Sequence, residues 1–152
     1  MRASFLIGLT ASTFLTTPAM AEAWNEVGVS DAVIVYADVD SIQNVGSNKT
    51  MMVFQGFDLG MGTSGKAYYT KSQIELDCTN HKVRELRMDA YGMDHAMLAP
   101  EPLDTAWQTF ADGTIGAAYN AVACNGERAD MSYSDPFAAA DEYWEYMYYY
   151  GE

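Results

Sequence analysis

One segment sets an imidazole between two thioethers: Met93-Asp-His-Ala-Met97, with Met88 five residues ahead of Met93. Soft sulfur and imidazole nitrogen together suit Cu(I). In an extended strand Met93, His95 and Met97 would share one face, as a ligand set requires. Methionine also fills irregular cores, so ordinary packing is the default expectation and copper the alternative. A second motif, Gly60-Met-Gly-Thr-Ser-Gly-Lys66, carries most of a phosphate-binding loop, yet residue 67 is Ala where a Mg²⁺-holding Ser or Thr is required. The pattern after it alternates like a strand, whereas an anion site needs a helix N-terminus. A glycine-rich hairpin is expected there.

Catalytic sets are weaker still. His81 and His95 are the only histidines, and neither lies in a nucleophile motif. The carboxylate pairs Asp38/Asp40 and Asp141/Glu142 arise freely in an acidic chain and are usually solvated. A non-enzymatic protein with no cofactor is the expectation, and a small periplasmic hydrolase ranks third, behind the copper alternative.

Charge narrows the partner. Eight Lys and Arg stand against 21 Asp and Glu in 152 residues, a formal charge of -13. Such a surface repels phosphate backbones and anionic lipid, which excludes nucleic acid as a partner. The distribution says more than the total. Lys66, Lys71, Lys82, Arg84 and Arg87 cluster on two neighbouring strands, while no basic residue follows Arg128. The end of the chain instead runs Tyr143-Trp-Glu-Tyr-Met-Tyr-Tyr-Tyr150. Tyr and Trp are favoured at protein contacts. Lys71, Lys82, Arg84 and Arg87, together with Tyr143, Trp144, Tyr146 and Tyr148, are therefore the candidate interaction residues.

The elements that would position these groups can be read in order. Arg2, a short apolar run from Phe5 to Leu15 and small residues ending at Ala21 form a secretory signal over residues 1–21. It carries no lipid-attachment cysteine, and no later stretch reaches the ~20 apolar residues of a membrane span. Export makes Cys78 and Cys124, the only cysteines, most simply one disulfide. Strands are expected at Trp24–Val27, Val33–Tyr36, Thr50–Asp58, Tyr68–Cys78 and Val83–Tyr91. Asp38–Ile42 reads as a turn, and Lys71, Gln73, Glu75 and Asp77 as a solvated strand face. Ala96–Ala99 and Ala106–Phe110 could add short strands around Pro100-Glu-Pro102. A helix is expected from Thr114 to Cys124, with Ile115, Ala118, Tyr119 and Val122 on its stripe. A second begins at Asp135-Pro136, with Phe137, Ala140, Trp144 and Met147 on one side.

Taken in order, Trp24, Tyr36-Ala-Asp38, Ser41-Ile42, Ile74-Glu-Leu-Asp-Cys78 with Lys82-Val-Arg84, Trp107 and Ala121-Val-Ala-Cys124 resemble the bacterial surface-adhesin E-like domain. The resemblance spans about residues 24–126. It implies an antiparallel sheet with a helix held on the concave face by the disulfide, which with the five or six strands read from the alternation makes an α+β fold. Residues 22–128 would form the domain, and 129–152 an acidic, aromatic, helical tail. It also implies an exported binding protein of the cell envelope, periplasmic or at the cell surface. Its partner would be an envelope or host extracellular-matrix protein, or a second copy in a homodimer.

Overall fold

Period-two alternation builds one antiparallel sheet. Its strands are β1 (Trp24–Val29), β2 (Val33–Val45), β3 (Asn48–Phe57), β4 (Tyr69–Asp77), β5 (Lys82–Tyr91), β6 (Gln108–Thr109) and β7 (Ser132–Tyr133), with helices α1 (Ile115–Asn125) and α2 (Pro136–Tyr150). This computed structural model describes residues 22–58, 67–99, 103 and 106–151. The expected signal segment, the Gly60–Lys66 motif and the Pro100–Pro102 break lie outside the described residues. Strand order is β6-β5-β4-β3-β2-β1-β7, so six strands meander and the seventh returns beside β1. The α+β class is as expected, but the sheet has one strand more than the upper count. The addition is β7, which comes from the segment read as a tail. Ala96–Ala99 gives a single bridge, Tyr91 to Met97, instead of a strand.

Alternation along β2 separates two cores. Val35 and Ala37 point to one side, where Met51, Val53, Ile74 and Leu76 meet Tyr119, Val122 and Ala123 of α1. Ile34 and Tyr36 point to the other, where Trp24, Phe54 and Tyr69 meet Ala139, Ala140 and Trp144 of α2. Ser132–Tyr133 and Pro136–Tyr150 thus pack onto the sheet as β7 and α2.

Helix α1 stops at Gly126, whose φ of 78° is the left-handed conformation that glycine adopts freely. One residue short of its end, Cys124 is bonded to Cys78, just past β4. Ile115, expected inward, is 39% exposed; Gly116 is buried instead, against Phe110. Asp135 caps α2 by accepting from the backbone N–H groups of Phe137 and Ala138, with Pro136 in the first turn. Met147 is exposed, so the buried stripe ends at Trp144. The helix lies close on β3: a Cβ added at Gly56 would sit 2.7 Å from that of Ala140.

Two strand expectations are corrected. Asp38–Ile42 belongs to β2, as a bulge where Asp38 pairs with Met52 and Gln43 with Thr50. Ser41 fills the gap in the ladder, its hydroxyl accepting from Met52 N at 2.8 Å and donating to the Asp38 carbonyl at 2.6 Å. Asp38 does act locally, accepting from the N–H of Asp40, and Ile42 packs on the α1 core. Burial raises the Asp38 carboxyl above its ordinary range despite those backbone bonds. The second correction concerns the supposedly solvated face of β4. Glu75 is buried and Lys71 half-buried there, because Asn48 and Arg84 pair with the first and Glu22 with the second.

Candidate functional site

The Met93–Met97 segment is a turn. His95 takes a left-handed φ of 61°, so no strand aligns Met93, His95 and Met97 on one face. The imidazole leans on α2, with its ring 4.7 Å from that of Phe137 and 5.1 Å from that of Tyr69. Its Nε2 lies 3.1 Å from Asp141 Oδ2. Tyr69 donates a short hydrogen bond to the other oxygen of that carboxylate. Burial, then the adjacent carboxylate, pushes the Tyr69 hydroxyl well above the usual phenol range, which keeps it a donor. Asp141, read from sequence as one of a solvated pair, is therefore the hinge of a Tyr69–Asp141–His95 cluster pinning the turn to α2. Its position one turn after Phe137 was the available signal. Met93 and Met97 stay exposed.

The four cations do share a face, for a reason absent from the simple alternation. Gln73 pairs with Arg87 but Ile74 with Glu85, so Leu86 is an extra residue that turns Arg84 and Arg87 to the same side as Lys71 and Lys82. Their charges are largely matched. Lys71 Nζ is 2.8 Å from Glu22, Arg84 Nε is 2.8 Å from Glu75, and Arg87 is 2.9 Å from Asp89, while Lys82 stands opposite Asp77. Lys71 also lies over the Trp24 ring and Arg84 over that of Trp107, at 4.9 and 4.6 Å. The hydrogen bond from Asn48 and the pairing with Arg84 hold the Glu75 carboxyl below the ordinary carboxylate range, against the effect of burial. Arg87, with 67% of its side chain exposed, is the most accessible of the three ion-paired cations.

The aromatic candidates divide. Trp144 goes to the core and its indole N–H donates to the Gly56 carbonyl at 3.2 Å. Tyr143 packs beside it and is partly buried. Tyr146 and Tyr148 point outward, joined by Tyr149 and Tyr150, which the sequence reading left out. A groove of ≈ 780 Å³ opens beside α2, its walls including Tyr69, Asp141, Trp144, Glu145, Tyr148 and Tyr149. No helix among the described residues is long and apolar enough to cross a membrane.

The model of the surface-adhesin protein E family matches residues 24–125, from the start of β1 to the end of α1. The chain belongs to that family. Membership makes it a surface binding protein. A crystal form of Haemophilus influenzae protein E superposes with a TM-score of 0.53 at 15% identity, covering 77% of this chain and 98% of that one. Its selenomethionine form gives 0.49 at 16%, covering 68% and 94%. Protein E from non-typeable Haemophilus influenzae gives 0.47 at 17%, covering 90% and 96%. No curated protein matches the chain. The likeness to the first of these structures concerns the fold. The family match ends before α2, so the outward tyrosines lie beyond it.

Proposed function

We propose that this family member is exported by removal of residues 1–21 and acts, without catalysis, as a binding module of the cell envelope, its main contact surface being the outer side of α2. One observation carries the choice of surface. Tyr148, Tyr149 and Tyr150 are 83%, 67% and 73% exposed on a helix whose inner side is fully used in packing. Consecutive exposed tyrosines add nothing to a core, whereas at a contact they bring large, rigid, amphipathic area. The partner is an envelope or host extracellular-matrix protein. A second contact area on the sheet face, around Arg87 and the half-exposed Trp107, is favoured by their accessibility on the side that α2 leaves open.

Cells displaying the chain should adhere to a surface coated with extracellular-matrix protein. Adherence should fall at least about tenfold, the equivalent of one anchor residue, when Tyr146, Tyr148, Tyr149 and Tyr150 are replaced by Ser. Unchanged adherence with unchanged expression would sink the assignment of the surface. Resistance of the chain to external protease on intact cells would place it in the periplasm, with an envelope partner.

A further inference from the structure

Two cations of the protein reveal what its rings and carboxylates do together. Lys71 sits between the Trp24 ring and Glu22, which also accepts from the Trp24 indole N–H at 3.0 Å. Arg84 sits between the Trp107 ring and Glu75. In each case a π face and a carboxylate hold one positive group, a pairing stronger than either contact alone.

The outer side of α2 presents the same ingredients with no cation in them. Glu142 and Glu145 stand among Tyr146, Tyr148 and Tyr149, and among the described residues neither carboxylate has a hydrogen-bond or ion-pair partner. The helix cannot supply one itself. No Lys or Arg follows Arg128, so an i, i+4 pair is unavailable. Two hollows flank this strip. The groove of ≈ 780 Å³ has Trp144, Glu145, Tyr148 and Tyr149 in its wall, and a second hollow of ≈ 400 Å³ is lined by Glu142, Glu145, Tyr146, Tyr149 and Tyr150. They share Glu145 and Tyr149. No described basic residue lines either.

The geometry points to α2 as a seat for a Lys- or Arg-bearing polypeptide segment, with successive basic side chains in the two hollows and the Glu145 carboxylate between them. This rests on the reading of α2 as the contact surface and names the chemistry of its partner. Two adjoining hollows with a shared carboxylate fit neighbouring cations on one extended chain, whereas a small free cation would use only one. Acidic partners are excluded by the same carboxylates. A second copy of the chain is a poor donor: Lys71, Arg84 and Arg87 are already paired, and Lys49 and Lys82 lie on separate strands of the folded sheet, not as neighbouring cations on one extended segment.

The test is calorimetric titration of the folded, disulfide-intact protein with the peptide Lys-Gly-Lys-Gly-Lys, acetylated and amidated, near 0.15 M salt. Binding should saturate and should vanish for the same peptide carrying norleucine in place of lysine. Tyr148→Ala with Tyr149→Ala should weaken it about tenfold, two exposed cation–π contacts' worth. Glu145→Gln should weaken it by about threefold or more, with Glu127→Gln neutral. All four side chains are exposed enough for folding to be kept, which an unchanged melting curve verifies. Wild-type affinity in the double tyrosine variant would overturn the proposal. So would an equal loss on Glu127→Gln, an exposed carboxylate before β7, since attraction would then be general charge. The adherence assay separates the two claims. Adherence lost in the tyrosine variants with peptide binding intact refutes the basic partner and leaves the contact surface standing. The reverse refutes the contact surface and leaves a basic-peptide site.

Discussion

Helices α1 and α2 cover opposite faces of one sheet by different means. The first is short, buries Gly116, Tyr119, Val122 and Ala123, and is tied to the end of β4 by Cys124–Cys78. It lies wholly inside the family match. The second lies outside that match and has no covalent tie. Its hold is aromatic: Phe137 meets Phe54, Tyr69 and Tyr91 edge-on, Trp144 bonds to the Gly56 carbonyl, and Asp141 gathers Tyr69 and His95. Small residues plus a cross-link leave α1 little outward area to offer. Large rings on the inner side of α2 anchor it firmly enough that its outer side is available for recognition. One helix is a clamp; the other is a lid whose outer side is the proposed contact surface.

The largest expected effect breaks the clamp. Replacing Cys78 and Cys124 together by Ser should cost about 4 kcal/mol, the loop-closure entropy for a cross-link of this span. Urea unfolding measures the loss, and amide exchange should show α1 losing more protection than α2. Equal losses in the two helices would mean that the faces are not independently held. Next comes the lid. Trp144→Ala removes an indole that is 8% exposed together with its hydrogen bond to the Gly56 carbonyl, so about 3 kcal/mol should be lost. A cost near zero would show that α2 is only loosely attached.

A smaller effect tests the part of the α2-side face that the helix leaves open. Glu75→Gln should cost about 2 kcal/mol, because Arg84 is left without its charge partner against Trp107. The pH dependence fixes the cause. The carboxyl is lowered in the folded state from 4.5, so its stabilisation is complete above that value and disappears as pH falls through the lower folded one. Wild type and variant should converge in acid. A constant difference down to pH 2 would assign the loss to packing.

How much of this was legible from residues depends on range. Alternation in 50–57 and 69–77 placed β3 and β4, and Asp135-Pro136 placed the start of α2, because those signals are local. The cysteine pair and the ordered motifs were likewise enough for the disulfide and the family. What escaped depends on partners distant in sequence or on single inserted residues. Glu75 reads as surface until Asn48 and Arg84 are seen beside it, and β7 has only two residues and no signature of its own. Leu86 as a bulge cannot be told from Leu86 as an alternating residue without the register of β4. His95 looked like a ligand because its neighbours in sequence are methionines; its neighbours in space are Phe137, Tyr69 and Asp141.

The smallest effect sharpens the comparison most. Tyr148→Ala should change stability by less than about 0.5 kcal/mol, as for a surface residue away from any packing feature, even though it removes a ring only four residues from Trp144. The two positions differ in what the sheet does for them. Trp144 exchanges water for Gly56 and the rings around it, whereas Tyr148 keeps most of its surface in water and touches chiefly its neighbour Tyr149. A ring in that position gains almost nothing from folding, so its binding energy is still unspent when a partner arrives. If thermal unfolding shows a loss of about 1 kcal/mol or more, the outer tyrosines belong to the lid, and the distinction between the inner and outer sides of α2 fails.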